Sequence, residues 1–235
     1  MTVATEVIQP PPPRRRSPNR LGAFYRTSVG KKLVMAVSGL VLFLFVSTHL
    51  AGNLQIFLGA EKLNDYAALL RRMPELLWLA RIVLLVALIA HVITSVQLVL
   101  ANRRARPIRY FVKRDIETSY AARTMAISGP LVLLYVIYHL AMFTFLVTGP
   151  GHSHTDVYRN VVLAFQMPTI SGIYIVATLL LGLHLYHGAW SMLHTLGVSN
   201  PHYRWLRRGL APVVAVAITA GYVSILLAVL AGVVK

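Results

Sequence analysis

At 235 residues, 57% hydrophobic and with a net charge of +16, the chain fits no ordinary soluble domain, in which the apolar share is about 45–50%. Its Lys and Arg residues sit in short clusters between long charge-free runs; that excludes the continuous basic face of a nucleic-acid binder and suits the loops of a membrane protein. The absence of cysteine excludes disulfides, covalently attached c-type haem and cysteine-ligated iron–sulfur clusters on this chain.

Residues 1 to about 20 read as a disordered tail, in which Pro10–Pro13 favour polyproline II and Arg14–Arg16 follow. No apolar signal-peptide core is present, so no cleavage is expected. Leu21 to Lys32 mixes Leu21, Phe24, Tyr25 and Val29 with Arg26, Lys31 and Lys32, the composition of a short interfacial helix. The remainder, 21–235, reads as one membrane domain. Spans are expected at about 33–50, 76–101, 124–147, 169–196 and 210–234, since crossing a bilayer takes about 20 apolar residues. Arg81, inside the second span, is expected near the headgroups. Between the spans, 52–74 reads as a mixed loop, partly helical, and 149–168 as a polar loop. The connections 102–123 and 197–208 are basic. Trp78, Tyr110 and Trp205 suit interfacial anchors, and Pro130 and Pro212 fall near span starts, where proline is tolerated. The fold class is therefore all-α: an integral bundle of five transmembrane helices. The positive-inside rule places the N-terminus in the cytoplasm and the C-terminus outside.

Four of these spans carry a histidine deep in the apolar run: His49, His91, His139 and His184. An ionisable group inside a bilayer is costly and points to function. At about 1.5 Å per residue, His49 lies roughly 25 Å beyond Lys32 and His139 roughly 24 Å beyond Arg123. His91 and His184 lie roughly 18 Å before the basic connections that follow them. The four residues therefore form two layers, each fed by two helices. Haem iron with two axial imidazoles needs that arrangement. Gly39, Ala51, Gly52, Ser128, Gly129, Gly182 and Gly188 are small residues that would let a flat ring approach. His184 and His187 share a helical face, so spacing alone does not separate them as ligands. A proton channel or transporter is the alternative class, but such proteins usually carry intramembrane carboxylates, and Glu75 lies only at a span edge. His152, His154 and Asp156 could be metal ligands, but beside Gly149-Pro150-Gly151 they read better as a polar turn.

Several segments together resemble a known family. They are His49-Leu50 with Asn53, Gly59-Ala60-Glu61-Lys62-Leu63-Asn64, Ala90-His91, Tyr138-His139, and Leu183-His184-Leu185-Tyr186-His187-Gly188-Ala189-Trp190-Ser191 running on to Thr195-Leu196-Gly197. In order and spacing, from Phe24 to the C-terminus, they resemble the five-helix, di-haem cytochrome b membrane anchor of succinate:quinone oxidoreductases, the succinate dehydrogenases and fumarate reductases. The resemblance implies two haems b. His91 and His184 would be the axial ligands of the proximal haem, and His49 and His139 those of the distal haem. It implies a multi-pass protein of the bacterial plasma membrane, partnered by a flavoprotein and an iron–sulfur protein, with no succinate site on this chain. It also implies a quinone substrate, menaquinone favoured, in the respiratory chain and tricarboxylic acid cycle. A cytochrome b anchor of another dehydrogenase is the nearest alternative. By position, Lys31, Lys32 and Arg123 are candidate propionate partners. Gln55, Asn64, Tyr66 and Glu75 are candidate quinone contacts on the outer side, and Ser28, His194 and Tyr203 on the inner side.

Overall fold

The computed structural model describes residues 19–105, 120–198, 200, 202, 205 and 209–235. The tail before residue 19, the connection 106–119 with Tyr110, and residues 199, 201, 203, 204 and 206–208, Tyr203 among them, lie outside the described residues. Among the described residues there are eight α-helices and no strand. They are α1 (Arg20–Arg26), α2 (Ser28–Asn53), α3 (Ala60–Arg71), α4 (Pro74–Arg104), α5 (Tyr120–Phe143), α6 (Val157–Phe165), α7 (Pro168–Thr195) and α8 (Ala211–Leu230), with a 3-10 helix over Leu54–Leu58. Five of these helices (α2, α4, α5, α7 and α8) are long and apolar enough to cross a membrane. The protein is an all-α bundle of five such helices, and its surface is paved with large apolar side chains such as Leu79, Val86 and Ile93 that suit lipid contact.

Local chemistry sets the ends. The first span begins earlier than expected: 28–32 belong to α2, and only α1 lies outside it. Thr27 makes the corner, its hydroxyl accepting from Gly30 N–H at 3.0 Å and donating to the Phe24 carbonyl at 2.7 Å, an N-cap geometry. Gly30 has to be glycine there, because a Cβ would run into the Phe24 carbonyl. The third span lies four residues earlier than expected. It starts at Tyr120 and stops at Phe143, because Leu146 adopts a left-handed φ of 54° and Val147 N–H bonds back to the Ala141 carbonyl at 3.0 Å. The turn is one residue wider than a Schellman motif, and leucine takes the left-handed position where glycine usually stands. Pro130 consequently sits inside α5 and not at a span start. Pro212 falls in the first turn of α8, as expected.

Packing among the spans runs as a chain: α4 against α2, α2 against α7, and α7 against α5, with α8 lying along α7 and also touching α2. Gly182 permits the close α7–α8 approach, since a Cβ would meet the Thr219 hydroxyl. The 3-10 helix, α3 and α6 cap the end of the bundle where α2, α5 and α8 finish. There Ile56, Leu63, Val161, Phe165, Met142, Tyr174 and Val229 share one buried core. The cap is pinned by polar bonds: the Asn64 amide donates to Asp156 at 3.0 Å and accepts from Tyr158 N–H at 3.0 Å. Asp156 also caps α6 by accepting from Arg159 N–H at 3.0 Å. The opposite end carries no such cap among the described residues. Neither α3 nor α6 is expected from the sequence as a packed element.

Candidate functional site: two buried histidine pairs

The rings of His91 and His184 stand 6.2 Å apart, centroid to centroid, and those of His49 and His139 stand 5.9 Å apart. Each pair joins helices that scarcely pack on one another: α4 to α7 at the open end, and α2 to α5 at the capped end. The imidazoles reach across where backbones stay apart. His184, not His187, faces His91; His187 lies against Trp190 at 6.5 Å.

A metal held by two imidazoles at about 2 Å each would place the ring centres roughly 6 Å apart, and both pairs have that spacing. The nitrogens support the same fit at the open-end pair. His91 Nδ1 is 3.2 Å from the Met35 carbonyl and 3.4 Å from Ser38 Oγ. A carbonyl can only accept, so Nδ1 carries the proton and Nε2 keeps its lone pair, the tautomer that a metal-ligating histidine needs. His184 Nδ1 is buried with no hydrogen-bond partner among the described residues, which leaves that ring nitrogen open to a ligand or a water. Backbone relief is present too. Gly39 faces His91, with a notional Cβ 3.2 Å from Cε1, and Gly129 faces His184 at 4.0 Å. Two of the other small residues serve elsewhere: Gly52 lies under Tyr66, and Gly182 under Thr219. The donor set and spacing therefore fit two bis-imidazole haems.

At the capped-end pair, His49 stacks on Phe45 at 5.2 Å. His139 sits among Tyr135, Phe143 and Tyr174 at 5.9, 5.4 and 6.0 Å. Tyr222 reaches over from α8, its hydroxyl donating to the Val46 carbonyl at 3.0 Å. These tyrosines are not among the sequence candidates. A hydroxyl in the middle of an apolar run was the available signal, since a buried tyrosine usually needs a partner.

The remaining candidates scatter. Lys31 and Lys32 lie one turn before Met35 on α2, and Arg123 lies six residues before Gly129 on α5, so all three occupy the end of the bundle that holds His91 and His184. Ser28 is the exposed first residue of α2 at that end. His194 lies there too, stacked on Trp190 at 5.7 Å. At the capped end, Gln55 and Tyr66 line one open cavity of about 480 Å³ with Lys62, Asp65 and Arg72. Asn64 is turned away into its bonds with α6, and Glu75 lies exposed in the first turn of α4. Arg81 lies over the exposed Trp78 ring at 5.1 Å. His152 faces the Leu146 carbonyl at 2.8 Å and Asp156 caps α6, so this stretch is a turn; no group of three or more metal-binding side chains occurs among the described residues.

No protein-family model, no curated protein and no solved structure matches the chain.

Proposed function

We propose that this chain is the membrane-anchor cytochrome b subunit of a bacterial succinate:quinone oxidoreductase, transferring electrons between a cytoplasmic iron–sulfur subunit and membrane quinone. The observation that carries the reading is the pair of imidazole couples, each spaced for one metal and each joining helices that scarcely pack otherwise. His91 and His184 would hold one haem b, and His49 and His139 the other. Each haem supplies a one-electron redox centre.

The chain's own residues do the rest. The Met35 carbonyl takes the His91 Nδ1 proton in a hydrogen bond and leaves Nε2 as the donor atom. The apolar spans exclude water, and low dielectric strengthens each electrostatic contact. Lys31, Lys32 and Arg123 are placed to neutralise propionates at the end holding His91 and His184, which the positive-inside rule makes cytoplasmic. The Gln55–Tyr66 cavity is the favoured place for a quinone headgroup: Gln55, Tyr66, Lys62, Asp65 and Arg72 offer hydrogen bonds beside apolar Ala68 and Leu69. Menaquinone is the favoured quinone, by the family resemblance.

The test is haem content and company. The complex purified through this chain should show a reduced-minus-oxidised b-type spectrum, two haems per chain, and a flavoprotein with succinate activity. His91→Ala and His184→Ala should each leave one haem detectable. Absence of a Soret band ends the cytochrome reading. A molybdenum or nickel subunit in place of the flavoprotein moves the anchor to another dehydrogenase.

A further inference from the structure

Tyr174 is buried, only 3% exposed, in the first turns of α7, and its hydroxyl has two neighbours. One is His139 Nδ1 at 3.4 Å and the other is Met142 Sδ at 3.7 Å. Both neighbours come from α5, one turn apart. Met142 is 2% exposed, so no water competes for the contact.

Two proton arrangements fit these contacts: the Tyr174 O–H donates either to His139 Nδ1 or to Met142 Sδ. A thioether sulfur has no hydrogen to give, so it can only accept. Only the second leaves Nε2 open to a metal: there the Tyr174 O–H points at Met142 Sδ, and the phenolic oxygen keeps its lone pairs facing His139. A lone pair there requires a proton on Nδ1. His139 is then the Nδ1–H tautomer, with Nε2 free. The same end is reached at His91 by a different device, since the Met35 carbonyl accepts from that Nδ1.

We propose that Tyr174, oriented by Met142, is the positioning residue that fixes the tautomer and ring plane of His139, committing Nε2 to the metal. The inference rests on the cytochrome reading, in which a metal at Nε2 selects the Nδ1–H arrangement. It gives the two layers unlike support: a backbone carbonyl behind His91, and a weaker, neutral phenol behind His139. A stronger acceptor gives an imidazole more anionic character and favours the oxidised metal.

Two measurements on the purified full complex test it. The first is the ¹⁵N spectrum of histidine-labelled protein, assigned through His139→Ala. Protonated Nδ1 at His139 supports the proposal, and protonated Nε2 overturns it. A haem-free chain would sink the cytochrome reading and this one with it, whereas protonated Nε2 at His139 in a haem-loaded chain would sink this one alone. The second is a redox titration of Tyr174→Phe and Met142→Leu. Tyr174→Phe should raise the potential of one haem and leave the other at its wild-type value. A tenfold change in the reduced-to-oxidised ratio corresponds to about 59 mV for a one-electron couple. Met142→Leu, close in volume, should move the same haem in the same direction by less. Two unchanged potentials and unchanged low-spin ferric signals in Tyr174→Phe overturn the proposal. If Tyr174→Phe does not assemble, Met142→Leu and the ¹⁵N spectrum decide.

Discussion

Gly30 shows how little room single positions leave. Its missing Cβ faces a backbone carbonyl, that of Phe24, which cannot swing aside as a side chain can. Gly30→Ala should therefore open the α1–α2 corner and cost about 1–3 kcal/mol. The check is thermal unfolding of the detergent-purified chain, against Gly188→Ala as the control, where a Cβ meets open space. At this scale the four histidines are plain in the sequence, because each stands alone against apolar neighbours. Their supports are not. Met35 acts through its backbone carbonyl, which any residue possesses, and Met142 meets Tyr174 through a sulfur that reads as ordinary core. Only Tyr174 carries a signal in its type, a hydroxyl within an apolar run.

Among the elements, the spans are legible since charge-free runs of that length have few other uses. Their ends are less so. The third span stops at a left-handed leucine, where the expected stop signal is glycine, and the apolar run continues past it. Gly197, with φ of 86°, follows α7 and marks that end correctly. The helices α3 and α6 are obscured for another reason: each is short, and only the cap they build together buries their apolar faces. Asn64 ties that cap, so Asn64→Ala should loosen α6 from α3 by about 1–2 kcal/mol, seen as faster hydrogen exchange confined to those two helices. The cap also carries a pH dependence. Bonds from Arg159 N–H and the Asn64 amide hold Asp156 below its usual value of 3.8. Its folded-state pKa is depressed, so its stabilising contribution is complete above about pH 4 and fades as pH falls through and below that value. Acid titration of the exchange rates in α6 should show this loss, and Asp156→Asn should flatten it.

Across the whole molecule, rigidity is unevenly distributed. The capped end shares one buried core that draws on α2, α5, α7 and α8 together, whereas α4 rests chiefly on α2. If haem bridges α4 to α7 through His91 and His184, its removal should free α4 first. Hydrogen exchange in nanodiscs should then rise most in α4 of the His91→Ala protein and least in α6 and the adjoining ends of α7 and α8. Equal rises throughout would contradict this distribution. The native absence of cysteine makes a companion measurement clean: Lys62→Cys and Arg103→Cys should react with an impermeant maleimide from opposite sides of sealed vesicles.

One small bond at the open end reaches further than its size suggests. The Tyr25 hydroxyl donates to Gln97 Oε1 at 3.0 Å, linking α1, a helix outside the spans, to α4, the least buried span. With Thr27 fixing the angle at which α1 leaves α2, the three helices close a triangle, and His91 hangs from its far side. The entry arm thus acts as a strut for the histidine layer at that end. A truncation or fusion replacing residues through Tyr25 would reset the alignment of an imidazole deep in the lipid phase, even though every residue touching that imidazole was left intact.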